Sequence, residues 1–255
     1  MNEALVLIKP HAAEWVAYVL AVEDALEPFN VVKQGEFTGK EIRERGLIHK
    51  HYGTLASRAN LEVPAHWGLD CDVFGENWKT IVDQGRAVNQ ARARKDFYPF
   101  LNTKEFTKLW RACPNMKLAP GTYVAKMGDH YVVNGFYDEM VESWETDDAI
   151  VRYYVIRWDH MSWRKFRQDV IGCTDPAKAP RSSLRGFCHR CFNGNIPHNG
   201  VHASAGPLEA IDECKLWLDY TPPFTSELFV GATEYYNETE DMDVPDAIKW
   251  KLTKV

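Results

Sequence analysis

Residues Ala4 to Ile8 form an unbroken apolar run that Pro10 ends, the pattern of a buried strand at the start of the chain. From Ala13 to Leu26, Trp15, Val19, Val22 and Leu26 recur at helical spacing, and Val31 to Thr38 alternates as a second strand. Lys40 to Leu55 reads as a charged helix carrying His51 and Tyr52. Further on, Val151 to Trp158 is a third, apolar-rich strand. A helix follows from about Trp163 to Ile171, where Gly172 stops it. Arg185 to Phe192 is read as a further strand, and Pro207 to Leu218 has the start, apolar spacing and final aromatic of a helix. Strands alternating with helices in this order fit an α+β fold, a ferredoxin-like antiparallel sheet sandwich.

Between these segments the pattern changes. Asn77 to Ala93 and Thr103 to Cys113 have helical spacing, with Thr103 as the expected cap of the second, and Thr122 to Val133 reads as a hairpin around Gly128-Asp129. Trp67, Phe74, Trp78, Phe97, Tyr98, Phe100, Phe106 and Trp110 supply aromatic surface that a free linker does not carry, so an ordered, mostly helical insertion is expected. The organisation read from the chain is a core in residues 1–58 and 130–220, an insertion at 59–129 and a C-terminal extension at 221–255. The acidic run from Glu234 to Asp243 in that extension reads as a solvated surface.

Composition narrows the class. With 255 residues, 45% of them hydrophobic, the chain has enough apolar surface for a substantial core, which excludes a disordered protein. A formal net charge of -6 argues against a dedicated nucleic-acid site, yet leaves a free nucleotide open as substrate, because only the pocket needs to be positive. No apolar run is long enough to cross a bilayer, and the first residues lack a basic start and cleavage site, so a cytoplasmic location is expected. Six cysteines then read as reduced thiols. Cys188-His-Arg-Cys191 leaves two readings open, half of a zinc site or ordinary strand or loop cysteines.

The densest chemistry is in Asn199-Gly-Val-His202-Ala-Ser204, with Glu213 further on. An imidazole can take up a phosphoryl group and pass it on when a carboxylate fixes its ring and neighbouring donors hold the phosphate oxygens. Asn199, His202, Ser204, Glu213 and Trp217 occur in the order and spacing of one family pattern. So do Lys9-Pro-His, His51-Tyr52, Gly172-Cys-Thr174-Asp-Pro and Ser183-Leu-Arg185-Gly. Taken together the chain resembles the nucleoside diphosphate kinase family.

The resemblance implies that a histidine, here His202, takes the terminal phosphoryl group of a nucleoside triphosphate and passes it to a diphosphate by a ping-pong, phosphohistidine route. It implies Ser204 and Glu213 as supports of the imidazole and Lys9, Thr174, Arg185 and Asn199 as phosphate or sugar contacts. Tyr52 would place a hydroxyl near the transferred group. Phe136 and Met140, four residues apart, match the base-stacking segment, with a hydrophobic core contact as the competing reading. It further implies Mg2+ carried on the nucleotide phosphates, ATP and other nucleoside di- and triphosphates as partners, and a homo-oligomer. A catalytically weakened nucleotide-binding scaffold or regulator is the alternative. Departures from the pattern are the insertion, extra residues between Arg185 and His202, Ala203 in place of the family glycine, and Gln168 at the family arginine position with Arg167 one residue earlier.

Overall fold

The computed structural model describes residues 2–220 apart from 65, 66, 68, 70 and 120; the expected C-terminal extension, with its acidic run, lies outside the described residues. The chain divides into two compact units, Met1–Leu47 with Trp144–Val255, and Ile48–Ser143.

In the first unit, β1 (Asn2–Ile8), β2 (Asn30–Thr38), β3 (Ile150–Trp158) and β4 (Val201–Ala203) form one sheet in the order β4-β1-β3-β2. Every neighbouring pair is antiparallel. This order is that of the split βαβ ferredoxin-like sandwich, so the α+β class expected from the pattern is the one observed. The continuous apolar run of β1 is explained by its central place: all seven residues are buried, with Ala4, Val6 and Ile8 packed in a cluster with Tyr18, Val22 and Leu26. Those three belong to helix α1 (Val16–Leu26), which follows a short helical turn at Pro10–Ala13. On the return limb, α2 (Leu184–Phe192) and α3 (Pro207–Leu218) close the unit. Pro207 opens α3 with a φ already set for the helix. Trp217 near its end is fully buried against Phe37 and Trp144, an aromatic burial of about 2 to 3 kcal/mol that fixes where α3 lies.

Two elements differ from their sequence reading. Arg185 to Phe192 is helical, not a strand: Ser183 caps it by accepting the Gly186 amide hydrogen, and its apolar residues Leu184 and Cys188 are buried one turn apart. The fourth strand is the three-residue β4, too short to show a period. The charged helix expected from Lys40 to Leu55 is three short helices, Gly39–Arg45, Leu47–His51 and Gly53–Asn60, the first ended by Gly46 in a left-handed conformation.

The second unit contains the expected helices and also a four-stranded mixed sheet. Its strand order is Ala87–Asn89, His130–Val133, Thr122–Met127, Asn115–Ala119, the first pair parallel and the others antiparallel. The Thr122 to Val133 hairpin is present. Asn77 to Ala93 is broken by the strand at 87–89, which begins soon after Gly85 at positive φ. Asn102, not Thr103, caps Thr103–Ala112, because its side chain accepts from the Glu105 amide while Glu105 returns a bond to the Asn102 amide. Of the aromatics expected to order this unit, Trp78 anchors one cluster together with Tyr131, and Phe106 and Trp110 anchor another, whereas Phe97 and Phe100 are exposed. Among the described residues, no helix is long and apolar enough to cross a membrane.

Candidate active site

Strand β4 pairs with β1 so that His202 lies opposite Leu7, while Val201 and Ala203 lie opposite Ile8 and Val6. Alternation along the strand therefore sends Val201 into the helix-covered core and His202 to the other face. The preceding Gly200 has a φ of 86° and crosses directly over Tyr18, whose hydroxyl donates to the Leu184 carbonyl; a Cβ there would collide with the tyrosine ring. After His202, the Ser204 amide donates to the Leu5 carbonyl at 3.0 Å, and its Oγ accepts the Leu5 amide hydrogen at 3.1 Å. Ala203 fits in this ladder, so the methyl group that replaces the family glycine is accommodated.

Glu213 on α3 joins the pieces. Its Oε1 lies 2.6 Å from His202 Nε2, and its Oε2 accepts the Ser204 hydroxyl at 2.6 Å. The carboxylate is 6% and the imidazole 15% exposed, so their bond is shielded from bulk water. Burial, then the charges of Arg185 and Lys9, push the His202 pKa down to about 3 even with Glu213 against it. A neutral ring whose Nε2 carries its proton toward the carboxylate has its lone pair on Nδ1.

Cations surround this pair. The Lys9 main chain bonds Gly200, its Nζ donates to the Pro197 carbonyl at 3.4 Å, and burial followed by the Arg185 charge lowers its pKa to about 7. Arg185, in the first turn of α2, donates Nε and Nη2 to the Val201 carbonyl at 3.2 Å each and Nη1 to the Gly172 carbonyl at 3.0 Å. Asn199 donates to the Thr174 carbonyl at 3.0 Å, while its Oδ1 is buried and has no donor among the described residues. Thr174 is itself exposed. The extra residues before His202 form a closed turn, in which the Asn195 amide donates to the His198 carbonyl, Asn195 Oδ1 accepts the His198 amide hydrogen, and His189 holds the Gly194 carbonyl.

The helix leading to Gly172 changes character after Lys165 into a π-helical turn, Phe166–Ile171. The Gly172 amide donates to the carbonyl of Arg167, five residues back, at 2.8 Å. A π turn holds one residue more than an α turn, so the residue five before Gly172 takes the axial place that the residue four before would otherwise hold. Arg167 is half-buried and Gln168 exposed.

Glu209, one helical turn before Glu213, was not legible from motif matching, although its i, i+4 spacing is visible in the sequence. Its carboxylate accepts the Ala205 amide hydrogen. Cys188 is buried on α2 and Cys191 exposed, both as free thiols. Among the described residues, no group of three or more ligating side chains includes either, so the zinc half-site is not completed.

The remaining sequence candidates belong to the second unit. Tyr52 is half-buried with its ring edge-on to His51. Phe136 packs against Trp110 and Tyr123, the core contact that the sequence left open, and Met140 is half-buried one turn along the helix Tyr137–Glu145.

Fold and site together define an α+β protein of ferredoxin-like topology with a shielded histidine–carboxylate pair among cations. No family model matches the chain. Nucleoside diphosphate kinase 3 of Spinacia oleracea is 31% identical over 83 residues, 32% of this chain and 49% of its own. The nucleoside diphosphate kinase of Sorangium cellulosum (strain So ce56) is 30% identical over 105 residues, 37% of this chain and 57% of its own. The chain thus spans about half the length of the curated relatives it matches. The structure of a nucleoside diphosphate kinase from Encephalitozoon cuniculi superposes with a TM-score of 0.47 at 16% identity, over 89% of this chain and 95% of that one. That from Aquifex aeolicus gives 0.45 at 14% identity, over 90% and 99%. Over about a third of its length the chain is thus similar in sequence to nucleoside diphosphate kinases.

Proposed function

We propose that this protein is a phosphotransferase that moves the terminal phosphoryl group of a nucleoside triphosphate to a nucleoside diphosphate through phosphorylated His202. The observation that carries this reading is the Ser204–Glu213–His202 chain, with both carboxylate oxygens engaged at 2.6 Å. Because Glu213 occupies Nε2, the attacking atom is Nδ1. Its lone pair forms a bond to the γ-phosphorus as the bond to the bridging oxygen breaks, and the nucleoside diphosphate leaves with that electron pair. Glu213 then faces an imidazole ring carrying positive charge, which its carboxylate stabilises. The second half-reaction runs the same steps in reverse onto another diphosphate.

Lys9 and Arg185 hold the phosphate oxygens in this reading. The register set by the π turn supports Arg167, in place of Gln168, as the family's arginine. The unmatched, buried Asn199 Oδ1 fits a hydroxyl of the nucleotide sugar. Thr174 is a further proposed nucleotide contact, Tyr52 a proposed hydroxyl near the transferred group, and Phe136 and Met140 the proposed stacking pair for the base. The residues present fit magnesium carried on phosphate rather than held by protein: the Glu213 oxygens are committed to His202 and Ser204, and the nearby cations suit the phosphates. Such an ion spreads the negative charge of the triphosphate. A homo-oligomer and a cytoplasmic location are proposed with the same reading.

Incubation with γ-labelled ATP tests it. Acid-labile, base-stable label is expected on the wild-type chain and absent from a folded His202→Ala variant. Nucleotide binding with no label on the wild type would refute transfer and leave the nucleotide-binding scaffold.

A further inference from the structure

Helix α3 directs two carboxylates toward the His202 turn. Glu213 uses both oxygens on His202 and Ser204, and Glu209, on the same helix face, reaches back to accept the Ala205 amide hydrogen. The turn Ala203–Gly206 is thereby tied to β1 through Ser204 and to the first turn of α3 through Glu209. The charged groups acting on Glu209 are Glu213 and Asp212 from its own helix and Arg167 from the π turn. Burial and then Glu213 raise the Glu209 pKa to about 8, against the opposing pull of the Ala205 amide and Arg167. Two anions one turn apart on a partly buried helix face repel each other, so ionising Glu209 beside Glu213 is disfavoured.

We propose that Glu209 is a positioning residue of the transfer site: it anchors the His202–Ser204 turn through Ala205, and from one helical turn before Glu213 it sets the field in which Glu213 presents His202. This rests on the phosphohistidine reading above. With Glu209 neutral, Glu213 is the one anion of the pair behind the imidazole, and an incoming triphosphate meets Lys9 and Arg185. Ionised Glu209 adds a second negative charge that repels the triphosphate and pushes Glu213 away from its two partners. At an effective dielectric near 20, an added unit charge this close to the reacting group changes the rate by roughly tenfold or more.

The experiment compares initial rates of phosphoenzyme formation from γ-labelled ATP in the full chain and in Glu209→Gln between pH 6 and 10. Glutamine keeps a carbonyl for the Ala205 amide but cannot ionise. Dividing one profile by the other removes titrations common to both, including that of Lys9. The expected ratio of variant to wild type is near one below pH 7 and rises roughly tenfold above pH 9. A ratio that stays flat across the range, at any level, overturns the proposal while leaving the phosphohistidine intact. Absence of label on the wild type at every pH overturns both, so the two failures are told apart. Should Glu209→Gln fold poorly, the His202 imidazole nitrogen shift of the isotopically labelled wild-type chain is the second measurement. Beside any step near pH 7 from Lys9, it is expected to show a second step with a midpoint near the Glu209 value, and absence of that second step refutes the coupling.

Discussion

Replacing Arg185 by lysine separates a charge from a fork. The guanidinium ties two segments, the Val201 carbonyl at the start of β4 through two N–H groups and the Gly172 carbonyl at the exit of the π turn through a third. Lysine keeps the positive charge, but its single ammonium on a flexible stem cannot span both carbonyls in that geometry. At least one carbonyl loses a charged partner. Such bonds contribute about 1.5 to 3 kcal/mol each, so Arg185→Lys should destabilise the first unit by about 2 kcal/mol and Arg185→Ala by about 4 kcal/mol. The same change frees the turn that presents His202, so labelling from ATP should fall by more than tenfold even in the lysine variant, whose charge is intact. Urea unfolding followed by tryptophan fluorescence, with the m-value checked for constancy, measures the first effect; initial labelling rates measure the second. An Arg185→Lys chain with stability within about 0.5 kcal/mol of wild type and normal labelling would refute the brace and return Arg185 to the role of a simple phosphate contact.

Lys9 and Asn134 give two further tests. Because the folded Lys9 pKa lies near 7, below the usual lysine value of 10.5, the native state holds fewer protons than the unfolded chain between those values, and ligand-free stability should rise with pH across that window. A bound phosphate restores the charge, so nucleotide binding near pH 8 should take up a proton. Calorimetry in two buffers of different ionisation enthalpy detects this, and equal heats would rule it out. In the second unit, buried Asn134 adopts a φ of 50°, donates to the Leu55 and Gly121 carbonyls at 3.1 and 2.9 Å and accepts from the Tyr123 amide at 2.9 Å. Asn134→Ala should cost about 3 to 5 kcal/mol by urea unfolding, since three bonds and a left-handed preference are lost together. A loss under 1 kcal/mol would show that the hub is dispensable.

The core strands were legible because β1 and β3 are central and apolar throughout, and the histidine site because its residues keep a fixed order in the sequence. What the sequence concealed has physical reasons. Leu184 to Phe192 carries few strong helix signals, and its helicity follows from the Ser183 cap and the burial of Leu184 and Cys188, both tertiary facts. A π turn has no propensity signature, so the five-residue bond from Gly172 to Arg167 could not be read from the sequence. The sheet of the second unit escaped because Ala87–Asn89 is three residues long and gains its pairing from a distant strand, His130–Val133. Glu209 was overlooked because an acidic residue in a first helical turn is ordinarily a favourable dipole partner and invites no further explanation.

The β2–β3 ladder pairs Thr38 with Ile150, and beside it Gly39 bonds Ala149 and Arg43 bonds Glu145 and Asp147. The two chain limbs that leave and re-enter the first unit are thus stapled together across a sequence separation of 112 positions. During synthesis, β2 is complete long before its neighbour exists. At about 5 to 20 residues per second the wait is roughly 6 to 22 s, ample time for microsecond-to-second folding of the intervening unit. Folding that unit first shortens the effective loop. Left unfolded, it would add about 2 kcal/mol of closure entropy relative to a ten-residue connection. The interval also leaves β2 as an unpaired edge, its backbone donors and acceptors open to other nascent chains, until Ile150 to Trp158 has emerged.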